Sequence, residues 1–218
     1  MNQRILAAIE KRATTEDMNV DALRLFHLYY NLRIALAAPG AILEIGCNKG
    51  YTSAVIAVIL EELGHETREF AVYDSFAGLP ELSQEDAGTA HYLKPGHLAA
   101  KPDDVIANCR AYGTRIVPRI VPGWFDATLH PKNPIAFALL DGDFYESILV
   151  SLERCYPLMS PGAVIVIDDY SMPDIPGCKR ACDLFFRDKK EKVETLAGGC
   201  QAVVHFARCS QFPGYCDR

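Results

Sequence analysis

A chain of 218 residues, half of them hydrophobic, is long enough to fold as one α/β domain with a substantial core. Its 28 aspartates and glutamates outnumber its 22 lysines and arginines, and the net charge of −6 argues against nucleic-acid and anionic-membrane partners, which favour basic surfaces. No apolar run reaches the roughly 20 residues that span a bilayer, and the N-terminus lacks a signal-peptide core. We therefore expect a single domain over 1–218 and a cytoplasmic location.

Short apolar runs alternate with helical patterns along the chain, which is typical of βαβ units and a mostly parallel sheet. Five strands are predicted at 41–46, 68–74, 115–121, 135–141 and 163–168. Pro118 cannot donate a ladder hydrogen bond, so the third strand is expected at an edge of the sheet. The fourth and fifth runs are apolar nearly throughout, as strands buried on both faces are. Helices are predicted at 51–63, 147–156 and 178–189.

Both ends of the chain add elements to this layout. Residues 17–38 carry apolar side chains at helical spacing, so we expect a helical cap within 1–40 that covers the sheet edge or the active site. Residues 192–197 and 201–207 predict an antiparallel hairpin whose turn contains Gly198 and Gly199. The sum is a Rossmann-like α/β fold with a mostly parallel, seven-stranded sheet, a C-terminal antiparallel hairpin and helices on both faces.

The eight cysteines match no metal-binding or disulfide framework. Cys200, His205, Cys209 and Cys216 have the chemistry of zinc ligands, but their spacing fits neither a zinc ribbon nor a zinc finger. Reduced thiols are the default in a cytosolic protein, and we expect them here.

A glycine loop follows the first predicted strand and indicates a nucleotide-like ligand. Gly46 permits a tight turn, Gly50 stands four positions on at the start of a helix, and Glu44 precedes the turn. An NAD-dependent oxidoreductase would show GxGxxG and a Tyr-x-x-x-Lys pair, and the sequence has neither. An acid followed by GxxxG suits S-adenosylmethionine, which carries a sulfonium and an amino acid moiety instead of a diphosphate. A strand-to-helix turn without a ligand is the alternative.

Further candidates for this site follow the next two strands. Asp74 ends the second strand, where an acid reaches the ribose hydroxyls in this fold. Ser75 and Phe76 come next and would place an aromatic ring beside the adenine. Trp124, the only tryptophan, either stacks against the cofactor or fills the core.

Four aspartates are predicted to converge at the carboxyl edge of the sheet. Asp141 and Asp143 follow the fourth strand, and Asp168 and Asp169 follow the fifth. Neighbouring parallel strands end beside the same crevice, and carboxylates held that close repel one another unless a cation neutralises them. A dense set of oxygen ligands favours Mg²⁺. The alternative is that Asp168 and Asp169 only cap the following helix.

Several segments together resemble the macrocin O-methyltransferase family of antibiotic-sugar methyltransferases. The resemblance covers roughly 41–186 and is carried by YDSFAGLP, GWFDATL, ALLDGDFYES, YPLMSPGAVIVIDDY and CKRACDLF. It implies a class I fold and Mg²⁺-dependent transfer of a methyl group from S-adenosylmethionine to a hydroxyl of a sugar or similar acceptor. By position, the family's metal ligands fall on Asp141, Asp168 and Asp169. Its cofactor contacts fall on Glu44, Gly46, Asp74, Ser75 and Trp124. Asp141 and Asp143, the two aspartates of the DGD motif, are expected near the cofactor.

The general base that would deprotonate the acceptor has three candidates. His91 and His97 lie in a long polar segment, 81–103, which is typical of an active-site lid. A surface histidine without a catalytic role is the alternative for each of them. Asp143 is the third candidate.

The expected function is therefore that of an O-methyltransferase that uses S-adenosylmethionine and Mg²⁺ and acts on a small hydroxylated acceptor. A catechol-type O-methyltransferase and a non-catalytic cofactor-binding protein of the same fold are the alternatives. The sequence leaves open whether the chain forms a homo-oligomer, and it does not identify the acceptor.

Overall fold

The protein is described here by a computed structural model over residues 1–15 and 21–207. Helices in these ranges are α1 (Gln3–Ala13), α2 (Ala22–Ala35), α3 (Tyr51–Glu62), α4 (Pro102–Ala111), α5 (Phe125–Thr128), α6 (Tyr145–Cys155) and α7 (Pro176–Phe186). Strands are β1 (Ala41–Ile45), β2 (Phe70–Asp74), β3 (Arg119–Pro122), β4 (Ile135–Leu140), β5 (Met159–Ile167), β6 (Glu194–Thr195) and β7 (Ala202–His205). No helix in the described ranges is long and apolar enough to cross a membrane.

The strands form one seven-stranded sheet in the order β3-β2-β1-β4-β5-β7-β6. The first five are parallel, and β7 runs antiparallel to both β5 and β6. The predicted fold is confirmed, including the edge position of β3. The predicted bounds of this strand, 115–121, are wrong at the start, because β3 begins only after Pro118 and covers Arg119–Pro122. The strand order reverses between β1 and β4, which is where an open α/β sheet forms its ligand crevice.

Element boundaries differ from the prediction where caps decide them. The predicted helix 147–156 begins at Tyr145, whose backbone N–H donates to the buried Asp86 carboxylate at 2.8 Å. The predicted helix 178–189 begins with Pro176, whose fixed φ suits the first turn, and ends at Phe186. At the other end of the chain, α2 begins after Asp21, whose carboxylate accepts the Arg24 N–H at 2.8 Å.

Alternating side chains along the strands separate two hydrophobic cores. On one face, Ile42 of β1 packs with residues of α1, α2 and α3. On the other face, Leu43 and Ile45 pack with residues of α6 and α7. Helix α3 is buried on nearly all sides because α1 and α4 cover the surface that the sheet leaves free, which explains its continuous apolar run.

The predicted lid segment 81–103 lies against α6 and α7, and its last two residues already belong to α4. Asp86 is 2% exposed and accepts hydrogen bonds from Ser83 as well as from the start of α6. The Arg180 guanidinium donates to the Ala87 carbonyl at 2.8 Å. On the other side, the Asn48 amide donates to the Leu98 carbonyl at 2.6 Å and ties the segment to the glycine loop.

The first loop glycine is required by the neighbouring strand end. Gly46 has φ +91°, and a Cβ built there would lie 1.8 Å from the carbonyl oxygen of Asp141. The Gly46 N–H donates to the Tyr73 carbonyl at 2.8 Å, so the loop cannot move away without breaking the pairing. This residue therefore joins the ends of β1, β2 and β4.

We expect Gly46→Ala to lower the free energy of unfolding by more than about 3 kcal/mol, because backbone atoms must move to admit the methyl group. Gly64→Ala is the matched control, since Gly64 has φ +74° but nothing within 4 Å of the added Cβ. That variant should lose only about 1–2 kcal/mol, the usual cost of a left-handed conformation. Urea denaturation measures both values, and equal losses would contradict the steric explanation.

Candidate functional site

A cleft of about 600 Å³ opens at the carboxyl ends of β1, β2, β4 and β5. That volume is in the usual range for small-molecule sites. Most of the residues predicted from the sequence line it: Glu44, Gly46, Asp74, Ser75, His97, Trp124, Asp141, Asp143, Asp168 and Asp169. The other three, Gly50, Phe76 and His91, lie outside its lining.

Asp74 organises the glycine loop. Its Oδ2 accepts the backbone N–H groups of Cys47 and Asn48 at 2.9 and 2.8 Å, and its Oδ1 accepts the Phe76 N–H at 2.7 Å. A carboxylate has about four acceptor positions, so these three hydrogen bonds leave about one of them open, and Asp74 lines the cleft. Asp74 thus shapes the loop and still offers an acceptor to a bound hydroxyl.

Glu44 is fully buried at the floor of the cleft. The Ser53 hydroxyl donates to its Oε2 at 2.5 Å, and its Oε1 has no hydrogen-bond partner within the described residues. Burial raises the pKa of Glu44 to about 8. A buried carboxyl oxygen without a partner is costly, so this position favours a ligand that brings a donor.

Two predicted cofactor residues have packing roles in the structure. Gly50 begins α3 with φ +77°, and a Cβ there would lie 2.7 Å from a methyl group of Val105 in α4. The glycine therefore admits a neighbouring helix. Phe76 packs against the core on the α3 face. Trp124, in contrast, is 45% exposed at the rim of the cleft, so its ring does not fill the core.

The strand-end aspartates converge as the sequence predicts. One carboxylate oxygen from each of Asp141, Asp168 and Asp169 lies within 4.8 Å of the others. Burial and the carboxylate of Asp168 raise the pKa of Asp169 to about 7. Burial and the carboxylates of Asp168, Asp169 and Asp143 raise the pKa of Asp141 well above its ordinary value. These shifts reflect the cost of holding several negative charges together away from water.

Arg24, which sequence reasoning missed, lies directly on this cluster. Its Nη1 donates to Asp168 at 2.5 Å and its Nη2 donates to Asp169 at 3.0 Å. From the other side, the Gln201 amide donates to Asp168 Oδ1 at 2.6 Å. Arg24 of α2 therefore contacts both aspartates, and Gln201, directly before β7, contacts Asp168. The alternative that they cap the following helix is wrong, because the N-cap residue of α7 is Ile175.

A second arginine from the N-terminal region also reaches the cleft. Arg12 of α1 is 4% exposed, and its guanidinium carbon lies 5.4 Å from the centre of the Tyr51 ring. Its charge interacts favourably with Asp141 and Asp168. The two N-terminal helices thus contribute both of the arginines that line the cleft.

The three candidate bases differ in position. Asp143 lines the cleft two residues after Asp141 and has φ +60°, in the left-handed region that few residues other than glycine, asparagine and aspartate adopt. His97 is exposed and lines the rim. His91 is exposed outside the lining, with its ring edge-on to Tyr92.

The outer wall of the cleft is partly apolar. Leu93, Met172 and Ile175 line it, and the Tyr92 hydroxyl donates to Asp174 across the mouth. The Ala90 N–H also donates to the Asp174 carbonyl at 3.0 Å. The 81–103 segment is therefore joined to the loop after β5 at the entrance.

Comparison with known proteins points to one family. A family model described as macrocin-O-methyltransferase (TylF) matches residues 20–204. The chain is 35% identical over 167 residues to the 8-demethyl-8-(2,3-dimethoxy-alpha-L-rhamnosyl)-tetracenomycin-C 4'-O-methyltransferase of Streptomyces olivaceus, covering 72% of this chain and 63% of that protein. It is 34% identical over 154 residues to the demethyldecarbamoylnovobiocin O-methyltransferase of Streptomyces niveus, covering 66% and 57%. The chain thus spans less than two thirds of the length of these curated relatives.

Among solved structures, that of the O-methyltransferase NovP is similar. The TM-score is 0.78 at 27% sequence identity, and the match covers 89% of this chain and 84% of that one.

We expect Glu44→Gln to stabilise the ligand-free protein increasingly as the pH rises from about 4.5 to about 8. Burial raises the folded-state pKa of Glu44 to about 8 from an ordinary value of 4.5. The stability contributed by the protonated carboxyl is therefore fully present below pH 4.5 and is lost as the pH rises through 8. The amide variant keeps a neutral side chain throughout.

Urea denaturation of the two proteins across this window measures the effect. The difference in unfolding free energy should grow by up to about 1.4 kcal/mol per pH unit and level off above pH 8. A difference that does not change with pH would contradict the raised pKa.

Proposed function

The chain belongs to the macrocin-O-methyltransferase family, and on that basis we propose that it transfers a methyl group from S-adenosylmethionine to a hydroxyl of a sugar or other small natural-product acceptor. We further propose that a divalent cation such as Mg²⁺ takes part. The observation that carries this proposal is the meeting of Asp141, Asp168 and Asp169 in the same cleft as Glu44 and Asp74.

The chemistry of the cleft supports the methyl donor. S-adenosylmethionine supplies an electrophilic methyl group on a sulfonium, together with an amino acid moiety and a ribose. The unpartnered Oε1 of Glu44 suits an ammonium group, and Asp74 stands where ribose hydroxyls are bound in this fold. Ser75 and Trp124 line the same cleft and are proposed to contact the nucleoside.

The aspartate cluster fits a hard divalent cation. Two buried carboxylates and the half-buried carboxylate of Asp141, with raised pKa values for Asp141 and Asp169, favour a positive partner, and oxygen is the ligand type that Mg²⁺ prefers. When bound, the ion supplies Lewis-acid chemistry that lowers the pKa of an acceptor hydroxyl. Asp141, Asp168 and Asp169 would hold it, and Gln201 would keep Asp168 in position.

Asp143 is the residue that we propose as general base. It lies in the cleft on the same loop as Asp141, with its backbone held in the left-handed region. Strained backbone of this kind is concentrated at functional sites. His97 at the rim is the second choice, and the position of His91 outside the cleft lining makes it the weakest of the three.

The acceptor is proposed to be a glycoside hydroxyl because the two Streptomyces relatives carry the names of O-methyltransferases of natural products, one of them a rhamnosyl compound. The apolar wall formed by Leu93, Met172 and Ile175 offers a surface to the rest of such an acceptor. A lid function for 81–103, a cytoplasmic location and homo-oligomer formation stay predictions.

The double variant Asp168→Asn with Asp169→Asn should abolish methyl transfer while cofactor binding persists. Turnover is measured as methylated product from S-adenosylmethionine, Mg²⁺ and a panel of glycosides and catechols. Cofactor binding is measured by calorimetric titration with S-adenosylhomocysteine, and NAD should give no heat. Asp188→Asn, an exposed aspartate beyond α7, is the control and should keep full activity.

Full turnover by the double variant, or by the wild type in excess chelator, would contradict the metal requirement. Binding of NAD in place of S-adenosylhomocysteine would contradict the methyltransferase assignment itself. Methylation of catechols alone would move the acceptor to the catechol class.

Asp143→Asn should lower kcat by about 10²–10⁴-fold, the usual contribution of a general base, with little change in the KM for S-adenosylmethionine. His91→Asn serves as the control and should leave kcat near the wild-type value. A larger loss in His97→Asn than in Asp143→Asn would assign the base to the histidine.

A further inference from the structure

Arg24 makes the closest charged contacts that the aspartate pair has within the described residues. The guanidinium gives one nitrogen to each partner, with Nη1 at 2.5 Å from Asp168 Oδ2 and Nη2 at 3.0 Å from Asp169 Oδ1. Its side chain is 12% exposed, and those of the two aspartates are 9% exposed. A guanidinium stays protonated in proteins, so this is a permanent positive charge on two proposed metal ligands.

Helix α2, which packs on one face of the sheet, holds Arg24 beside Asp168 and Asp169. Arg24 lies in the first turn of α2, three residues after the capping Asp21, and Leu25 and Leu28 of the same helix are buried in the core. Its Nη2 also contacts the Cys200 sulfur, which lies next to Gln201. The position of the charge is therefore set by the packing of α2 against β5 and by the loop before β7.

We propose that Arg24 is an internal counter-cation that competes with the divalent ion for Asp168 and Asp169. This inference rests on the proposed function, because it concerns the metal site of that function. Three carboxylates without a partner would repel one another strongly in a buried site, and the guanidinium offsets two of them when no ion is bound. A divalent ion that binds the same carboxylates meets the repulsion of this charge at short range.

Competition has a consequence for α2. An incoming ion draws Asp168 and Asp169 toward itself, so the guanidinium gives up at least part of its contact with them. Arg24 can leave only by a change in its side chain or in the first turn of α2. Metal loading is thereby linked to the N-terminal helices that line the cleft.

Arg24 could have the opposite effect and strengthen metal binding. An arginine that hydrogen-bonds to metal ligands can orient them and so strengthen metal binding. The two roles predict opposite signs for the effect of removing the charge, so a binding measurement separates them.

The experiment measures Mn²⁺ binding by calorimetric titration of the full chain, with S-adenosylhomocysteine present, in wild type, Arg24→Met, Arg24→Gln and Arg24→Lys. Both neutral variants should bind Mn²⁺ at least tenfold more tightly than the wild type. Arg24→Lys keeps the charge but loses the fork that contacts both aspartates, so its affinity should lie between those of the wild type and the neutral variants. In the metal-free state the neutral variants should have a lower Tm, and Mn²⁺ should raise it by more than in the wild type.

Arg33→Met is the matched control, because Arg33 is an exposed arginine in the last turn of the same helix. It should leave the Mn²⁺ affinity unchanged. Retained binding of S-adenosylhomocysteine shows that each variant is folded, and Arg24→Gln carries the test where Arg24→Met does not fold.

Equal or weaker Mn²⁺ binding in the neutral variants, with normal binding in the wild type, would overturn the competition and leave the proposed function intact. Binding that appears only in the neutral variants would support the competition and contradict metal dependence of the wild type. An absence of Mn²⁺ binding in all variants would overturn both.

Discussion

Buried negative charge at one edge of the sheet is the constraint on which the rest of this structure depends. Six carboxyl groups near the carboxyl ends of β1, β2, β4 and β5 line one cleft: Glu44, Asp74, Asp141, Asp143, Asp168 and Asp169. Removing such groups from water is expensive unless donors or cations compensate them. The raised pKa values of Glu44 and Asp169, about 8 and about 7, express that cost. The proposed binding of a metal ion and of the cofactor's ammonium group would account for so many acids in one cleft.

The compensation comes from elements that are distant in sequence. Ser53 of α3 donates to Glu44, Gln201 donates to Asp168, and Arg24 of α2 donates to two aspartates. The N-terminal helices are thus part of the site as well as a cover over one face of the sheet. Their apolar sides pack on the sheet and on α3, which fixes where their arginines point.

The strands, the burial of the central ones and the acidic cluster could be predicted from the sequence. They follow from local hydrophobic patterns and from the rule that neighbouring parallel strands end at the same edge of a sheet. Apolar runs gave the strand positions, and the convergence of strand ends placed Asp141 beside Asp168 and Asp169. Arg24 could not be predicted in this way. It is 144 positions from Asp168, and an arginine in the first turn of an amphipathic helix looks like any surface residue until the packing of that helix is known.

The glycine loop shows a different limit. Two glycines near a strand end indicate that another group approaches the backbone closely. The sequence does not show whether that group is a ligand or another part of the protein. At Gly46 the approaching group is the Asp141 carbonyl, and at Gly50 it is Val105 of α4. Phe76 likewise packs on the core beside the cleft. The glycine motif therefore lies beside the cleft, but only part of it lines the cavity, with Gly46 in the lining and Gly50 outside it.

The most direct test of the account is an anomalous difference map from crystals grown with Mn²⁺ and S-adenosylhomocysteine. We predict one strong peak bonded to carboxylate oxygens of Asp141, Asp168 and Asp169, with the nucleoside bound between the glycine loop and Asp74. A map in which S-adenosylhomocysteine fills the cleft and no ion lies among the three aspartates would contradict it.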